Sequence, residues 1–197
     1  MGKKCAVLFS GGKDSCLALY LAKLNSYDIV CLVTLVSENL ESFMFHTLSI
    51  MQVKKQAEVM GIPLLFQKTK GKKENELKDL EIALLKAKER RADGVVTGAV
   101  ESVYQASRIQ KICNKLDLEC FNPLWQKNQF EILEELLKKK FKVIVTGVFA
   151  HPFNKRWLGK KIDKMFIEEM KELNKKYKIN PAGEGGEFES LVLDCPL

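Results

Sequence analysis

The sequence predicts an α/β fold, in which a parallel β-sheet carries helices on both faces and a small elaboration follows at the C-terminal end. Three observations predict it. Short apolar runs rich in β-branched residues alternate with longer segments of helical period, an order that produces βαβ crossovers. The apolar runs are nearly continuous, as strands buried on both faces require. A polar loop containing two glycines joins the first apolar run to the first helical segment.

Six of the apolar runs are predicted to be strands of this sheet. They are Cys5–Phe9, Ile29–Val36, Pro63–Phe66, Gly94–Val100, Glu119–Phe121 and Val143–Phe149. In an open parallel sheet, ligands bind beyond the carboxyl ends of the strands, where the winding direction reverses. We therefore expect the functional residues to lie directly after these strands.

The spacing of apolar residues predicts helices between the strands and in the tail. They are Ser15–Leu24, Leu48–Met60, Asn75–Arg91, Tyr104–Leu116, Gln129–Lys140 and Lys160–Lys176. Gly61 follows the second helix and suits a C-terminal cap. Because the alternation stops after Ala150, we expect one domain over residues 1–150 and a C-terminal elaboration over residues 151–197.

Composition argues against a membrane or secreted protein. No apolar run reaches the roughly 20 residues that a membrane span needs, and the N-terminal run is too short for a secretory signal. We therefore expect a cytoplasmic protein with no membrane contact. The six cysteines form no C-x-x-C pair, which favours reduced thiols over a metal or redox site.

The net charge is +7, and basic residues gather in the later part of the chain, at Lys138-Lys139-Lys140, Lys155-Arg156, Lys160-Lys161 and Lys175-Lys176. This pattern indicates either solvated helix faces or a surface for an acidic macromolecule, RNA or an acidic protein. Charge alone does not choose between them.

The loop after the first strand has the features of a phosphate-binding loop. It consists of Ser10, Gly11, Gly12, Lys13, Asp14 and Ser15. The two glycines let backbone N–H groups approach a ligand, and the following helix presents unpaired donors and the positive end of its dipole. The serines add hydroxyls and Lys13 adds a cation. Asp14 suits either a Mg²⁺ ligand or a helix cap. The loop matches neither G-x-x-x-x-G-K-[ST] nor G-x-G-x-x-G.

Further candidates for nucleotide binding lie after two other strands. Thr34 is near the end of the second strand, and His46 follows it in a loop, where a partly buried histidine is the alternative. Gly98 lies near the end of the fourth strand and would let a ligand come close. Tyr104 and Arg108 share one turn of the next helix. The Arg108 guanidinium suits a phosphate or carboxylate, with a surface ion pair as the alternative.

A second glycine-rich loop occurs in the tail. It contains Gly183, Glu184, Gly185, Gly186, Glu187, Phe188 and Glu189. Clustered glutamates are unusual in a hairpin turn, which favours Asn-Gly or Asp-Gly. The loop suits a Mg²⁺ site or a cationic acceptor, and an exposed acidic hairpin is the alternative.

The motif Ser-Gly-Gly-Lys-Asp-Ser between a strand and a helix resembles the signature of the N-type ATP pyrophosphatases. This resemblance implies a Rossmann-like, adenine nucleotide α-hydrolase-like fold and cleavage of ATP between its α- and β-phosphates. The wider set of motifs resembles one family within that group, the diphthine–ammonia ligases. The matching segments are Ser10–Ser15, Val36–Thr47, Thr97–Arg108, Pro123–Trp125, Trp157–Gly159 and Gly183–Asp194.

The family resemblance implies a reaction. Diphthine, a modified histidine on translation elongation factor 2, reacts with ATP and ammonium through an acyl-adenylate to give diphthamide, AMP and pyrophosphate. ATP and Mg²⁺ are the implied cofactors, with Asp14 as the metal ligand and with Lys13, Asp14 and Arg108 as catalytic residues. Since no glutaminase nucleophile constellation is present, free ammonium is the expected nitrogen source.

The resemblance also assigns the second glycine-rich loop to the acceptor. Diphthine carries a fixed trimethylammonium charge, which the three glutamates would attract. Phe188 would add a cation–π contact.

Two alternatives share the phosphate loop. An enzyme of tRNA base modification would use the basic surface, and a non-catalytic ATP sensor would need neither Asp14 nor the acidic loop. The oligomeric state is left open, with a homo-oligomer among the outcomes.

Overall fold

The computed structural model describes residues 2–37, 50–69 and 73–197. In chain order its elements are β1 (Lys4–Leu8), α1 (Lys13–Leu24), β2 (Asp28–Ser37), α2 (Ile50–Met60), β3 (Leu64–Thr69), α3 (Lys73–Glu89), β4 (Gly94–Val96), α4 (Val103–Lys115), β5 (Glu119–Phe121), α5 (Gln129–Lys138), β6 (Lys142–Val148), α6 (Lys164–Tyr177) and β7 (Phe188–Asp194). A 3-10 turn, Lys155–Trp157, precedes α6. Gly61 follows α2 with a φ of +65°, as the predicted cap requires.

Five strands form the predicted parallel sheet, in the order β3-β2-β1-β4-β5. From β1 the chain winds outward through β2 and β3, and it then returns to place β4 on the other side of β1. The winding direction therefore reverses between β1 and β4. The loops after these two strands lie at the point where ligands bind in such sheets.

Both faces of the sheet are covered, because alternate residues of each strand enter different cores. Cys5, Val7 and Phe9 pack with α1, α5 and α6 in one core. Ala6 and Leu8 point to the other face and pack with α3 and α4. This two-sided burial explains the nearly continuous apolar character of β1.

The prediction that Val143–Phe149 belongs to the parallel sheet is wrong. β6 instead pairs antiparallel with β7 in a separate two-stranded sheet. The burial of β6 alternates, since Lys142 and Thr146 are exposed while Val143 and Val145 are buried. Such one-sided burial is typical of an antiparallel sheet with one face in solvent. The division of the chain at residue 150 stays a prediction.

Two further findings concern the class of protein. Of the helices in the described residues, none combines the length and the apolar character that a membrane crossing requires. All six cysteines are free thiols, and four of them are buried. The cytoplasmic location stays a prediction.

Candidate active site

The loop between β1 and α1 presents backbone donors at the start of the helix. α1 begins at Lys13, and Gly12 is its N-cap in an extended conformation. Cys16 N donates to Gly12 O at 3.1 Å, so the N–H groups of the three preceding helical residues have no acceptor within the helix. Gly11 has a φ of +79°, which glycine adopts without strain. Together with the helix dipole, these donors are the features of an anion-binding site.

Two serines hold this loop in its curved shape. Ser10 N donates to Ser15 Oγ at 3.3 Å, and the two hydroxyl oxygens lie 3.2 Å apart. Ser15 Oγ in turn donates to Gly12 O at 3.0 Å. Both predicted hydroxyls therefore lie at the mouth of the loop.

Lys13 and Asp14 form an ion pair inside the site. The distance from Lys13 Nζ to Asp14 Oδ2 is 2.7 Å, and the side chains are 5% and 25% exposed, respectively. Asp14 Oδ1 is buried and has no hydrogen-bond partner among the described residues. The carboxylate therefore neutralises the lysine with one oxygen and leaves the other for a further partner.

The donor set around Asp14 bears on the Mg²⁺ prediction. Within the described ranges, no group of three His, Cys, Asp or Glu side chains is arranged to hold a metal ion. Mg²⁺ in nucleotide sites takes one or two carboxylates and completes its octahedron with phosphate oxygens and water. The unpartnered Asp14 Oδ1 fits that requirement as a single protein ligand.

Strand β7 contacts the phosphate loop directly. Lys13 N donates to Ser190 Oγ at 3.2 Å, and Val192 N donates to Gly11 O at 3.1 Å. Gln56 on α2 bridges the same two segments, because its Nε2 donates to Gly11 O at 3.1 Å and to Val192 O at 2.7 Å. The carbonyl of Gly11 thus accepts two hydrogen bonds on the side that faces β7 and α2.

These contacts set the direction of a donor in the loop. In a trans peptide, the C=O of Gly11 and the N–H of Gly12 point in opposite directions. Because the carbonyl faces β7, the Gly12 N–H faces the interior of the loop, where Ser10 Oγ lies 3.4 Å away.

The acidic loop is held together by Glu187. Its Oε1 accepts from Asn180 N at 2.8 Å and from Asn180 Nδ2 at 2.9 Å, while Oε2 accepts from Gly185 N at 2.9 Å. The residue is only 7% exposed. Gly183 and Gly186 have φ values of +79° and +81°, which allow the chain to curve around this carboxylate. The geometry favours a role for Glu187 in loop shape over the predicted contact with the acceptor.

Phe188 also differs from its predicted environment. Its ring is buried among Phe153 and Phe166, at centroid distances of 5.5 and 5.7 Å. The cation near it is Lys13, whose Nζ lies 5.8 Å from the ring centroid. The geometry therefore favours a core position that supports Lys13 over a contact with a substrate cation. Glu189 is half-buried and faces Gly147 of β6.

The carboxyl of Glu184, in the acidic loop, interacts electrostatically with Asp14 and Lys13 of the phosphate loop. Burial, and then the charge of Asp14, raise the pKa of its carboxyl from 4.5 to about 7. Lys13 acts in the opposite direction, and the carboxylates of Glu101 and Glu187 add to the rise. No hydrogen bond to the Glu184 carboxylate occurs in the described part of the chain. The acidic loop thus places an unbonded carboxyl beside the Lys13–Asp14 pair.

The structure describes the surroundings of two of three further residues that are predicted to bind the nucleotide. Thr34 is buried and donates from Oγ1 to Phe9 O at 2.6 Å, joining the ends of β2 and β1. A Cβ on Gly98 would lie 2.8 Å from the Asp14 carbonyl carbon, so this glycine lets β4 pack against the start of α1. His46 lies outside the described residues. The binding roles of all three stay predictions.

Tyr104 and Arg108 lie on one turn of α4, as predicted. The Arg108 guanidinium carbon is 3.4 Å from the centroid of the Tyr104 ring, and Nη1 donates to Tyr104 O at 3.4 Å. Arg108 Nε is buried and has no hydrogen-bond partner among the described residues. The stacked guanidinium therefore retains a donor for an anion.

Sequence reasoning missed Ser190 and Gln56. Ser190 lies within the segment Gly183–Asp194 that resembles the family, but the sequence assigns it no role. Gln56 occupies an ordinary helical position. No local pattern indicates that Ser190 meets a loop 177 positions away. None indicates that Gln56 bridges Gly11 and Val192, which lie 45 and 136 positions from it.

Comparison with known proteins shows how far the chain resembles a family. The sequence model of the diphthamide synthase N-terminal domain matches residues 3–120, and that of the C-terminal domain matches residues 128–197. The diphthine–ammonia ligase of Bos taurus is 33% identical over 214 residues, covering 98% of this chain and 80% of the relative. The corresponding protein of Danio rerio is 34% identical over 211 residues, covering 96% and 82%.

A solved structure supports the fold. The crystal structure of a predicted subunit of tRNA methyltransferase from Methanocaldococcus jannaschii is similar, with a TM-score of 0.51 and 18% identity. The match covers 99% of this chain and 98% of that one. At this identity, the likeness bears on architecture alone. The matches in sequence extend over both parts of the chain and include both glycine-rich loops, and the chain therefore belongs to the diphthamide synthase family.

Proposed function

We propose that this chain is a diphthine–ammonia ligase, which uses ATP and ammonium to convert the carboxylate of diphthine into the amide of diphthamide. The observation that carries the proposal is the family match over both parts of the chain, 3–120 and 128–197. The adjacency of the phosphate loop and the acidic loop supports it, because the reaction needs an ATP site and an acceptor site side by side. The protein substrate is translation elongation factor 2.

The phosphate loop binds the pyrophosphate end of ATP. The N–H groups of Asp14 and Ser15, which have no acceptor within the helix, donate to phosphate oxygens. The hydroxyls of Ser10 and Ser15 join them by exchanging their hydrogen bonds within the loop for bonds to a phosphate oxygen. Thr34, Gly98 and Tyr104 belong to the same nucleotide site at the strand ends, and His46 is retained from the sequence prediction.

Charge is balanced at the phosphates by Lys13, Arg108 and a metal ion. Asp14 Oδ1 would hold Mg²⁺, which when bound neutralises the departing pyrophosphate. The buried Lys13 is fixed by Asp14, so its ammonium group is oriented before ATP arrives. Arg108 offers its remaining donor to the α-phosphate or to the acceptor carboxylate.

Two steps complete the chemistry. An oxygen of the diphthine carboxylate attacks the α-phosphorus of ATP, the bond to the β-phosphate oxygen breaks, and pyrophosphate leaves. Ammonia then attacks the carbonyl carbon of the acyl-adenylate, and AMP leaves with the oxygen that joined it to the carbonyl. The protein contributes mainly by positioning the two reactants and by neutralising charge.

The acidic loop receives the acceptor. Diphthine carries a trimethylammonium group, which cannot donate conventional hydrogen bonds and is held by negative charge. Glu184 is the carboxyl that fits this role, since its oxygens are not used to shape the loop. Glu187 and the three glycines then serve the acceptor indirectly, by giving the loop its shape.

A labelling assay tests the proposal. Purified protein is incubated with ATP labelled at the α-phosphate, Mg²⁺ and ammonium, together with elongation factor 2 bearing diphthine, elongation factor 2 without it, tRNA, or no acceptor. We expect labelled AMP, pyrophosphate and amidated factor only with the diphthine-bearing protein. AMP formation that depends on tRNA would support base modification instead. Release of ADP and phosphate at a comparable rate would contradict the pyrophosphatase mechanism.

A matched pair of variants links the activity to the loop. Lys13→Ala should abolish AMP formation, whereas Lys23→Ala in the last turn of the same helix should not affect it.

A further inference from the structure

A hydroxyl of β7 lies at the phosphate loop, although it comes from the opposite end of the chain. Ser190 Oγ accepts the N–H of Lys13 at 3.2 Å, and Lys13 is the first helical residue of α1. A Cβ on Gly12 would lie 3.6 Å from Ser190 Oγ and 3.2 Å from Ser190 O, so the strand passes directly beside the loop. Ser190 therefore lies beside the N-terminus of α1, the end of a helix where anions bind.

The hydrogen-bonding capacity of this hydroxyl is only partly used. A serine hydroxyl has one donor and two acceptor lone pairs. The bond from Lys13 N occupies one lone pair, and within the described residues Ser190 Oγ donates to no acceptor. Accepting a bond from the helix N-terminus also polarises the hydroxyl and strengthens it as a donor. Its hydrogen is thus available to an oxygen bound in the loop.

Further contacts keep Ser190 in place. Two residues along β7, Val192 N donates to Gly11 O at 3.1 Å, and Gln56 Nε2 bonds to both carbonyls of this junction. The strand on which Ser190 lies is thus fixed to the loop by three hydrogen bonds. Since donors that do not have to reorganise stabilise charge most effectively, this rigidity suits a binding group.

From this geometry we propose that Ser190 is a pyrophosphate-binding residue of the ATP site. Its hydroxyl donates to an oxygen of the β- or γ-phosphate while its lone pair holds the Lys13 N–H. The inference rests on the proposed function, since it takes ATP as the ligand of the loop. Strand β7 would then contribute to ATP binding as well as to the acceptor site, because the acidic loop leads directly into this strand. A single strand would then serve both reactants.

Calorimetric titrations with ATP, pyrophosphate and AMP, each in the presence of Mg²⁺, test the inference on the whole chain. A hydrogen bond to a charged group contributes more free energy than one between neutral groups. Ser190→Ala should therefore weaken ATP and pyrophosphate binding by about tenfold. AMP lacks the β- and γ-phosphates, so its dissociation constant should not change. A residue that only stabilised the fold would change all three affinities together.

Two variants of equal shape isolate the hydroxyl. Ser190→Thr should keep the affinity of the original protein, and Ser190→Val should lose as much as Ser190→Ala. Thr146→Val removes an exposed hydroxyl from the partner strand β6 and should change nothing.

The outcomes distinguish a failure of this inference from a failure of the proposed function. If the unmodified protein binds no ATP, the proposed function fails and this inference with it. If it binds ATP and the folded Ala and Val variants bind ATP and pyrophosphate equally well, this inference alone is overturned. Loss of folding in both hydroxyl-free variants would assign the hydroxyl to stability and would also overturn it.

Discussion

The substitution Glu187→Gln distinguishes a carboxylate that shapes the acidic loop from one that contacts the acceptor. Both oxygens of Glu187 accept hydrogen bonds, from Asn180 on one side and from Gly185 on the other. An amide has one oxygen and one NH₂ group. In either orientation, its NH₂ group faces an N–H donor, because every partner of this side chain is a donor.

The expected loss of stability follows from the number of hydrogen bonds that the substitution removes. If the amide nitrogen faces Gly185, one bond is lost, and if it faces Asn180, two are lost. Leaving a buried donor unpaired costs about 1–3 kcal/mol. Relief of repulsion with Glu184 offsets this only weakly, since Glu187 is the smallest of the causes that raise the pKa of Glu184. We therefore expect a net loss of about 1–3 kcal/mol, and for a chain of this length each kcal/mol lowers Tm by about 2–4 °C.

Thermal unfolding of the ligand-free protein at pH 8 measures the loss, and calorimetric ATP binding and the amidation assay are run on the same preparations. Glu187→Gln should lower Tm and reduce amidation, while the dissociation constant for ATP stays nearly unchanged. Glu184→Gln is the matched control, because its carboxyl makes no hydrogen bond in the described residues. It should not lower Tm, but it should weaken binding of the diphthine-bearing protein.

One result would refute this reasoning. If Glu187→Gln unfolds at the same temperature as the original protein and still binds the acceptor poorly, Glu187 contacts the acceptor directly. The prediction drawn from the sequence would then be correct, and the hydrogen bonds within the loop would be incidental.

Three further predictions follow from the site. Asp14→Asn should lower the rate of AMP formation by at least about 100-fold, since it removes the proposed metal ligand, and it should also lower Tm, because it leaves the buried Lys13 ammonium without its carboxylate partner; an unimpaired rate across a Mg²⁺ titration would contradict this. Gly98→Ala should destabilise the protein by about 1–3 kcal/mol in denaturant unfolding, because the added Cβ would meet the Asp14 backbone at 2.8 Å. The Glu184 carboxyl, with a pKa raised from 4.5 to about 7, binds a proton in the folded state that the unfolded state has lost, so its contribution to stability falls as pH rises from 4.5 to 7. Glu184→Gln should therefore be more stable than the original protein above pH 7 and equally stable below pH 4.5, and parallel pH profiles for the two proteins would refute the assignment.

Much of the architecture follows from local patterns. β1 could be predicted because both of its faces are buried, which requires an apolar residue at nearly every position. The phosphate loop could be predicted because its glycines, serines and lysine serve the strand–loop–helix segment in which they lie. The rule that places ligands at the reversal of strand order points to the same loop without knowledge of any contact.

Tertiary structure alone decided the partners of the C-terminal part. β6 has the composition of a sheet strand, but its one-sided burial depends on β7, which follows almost forty residues later. The three glutamates of the acidic loop are equivalent in sequence, yet one is bonded inside the loop and another is left beside Lys13 and Asp14. Phe188 was predicted at the acceptor and lies in the core. Periodicity and composition report the conformation of neighbouring residues, whereas these outcomes depend on which distant segments pack together. For the same physical reason, the contact between Ser190 and the first N–H of α1 could be found only in the folded chain.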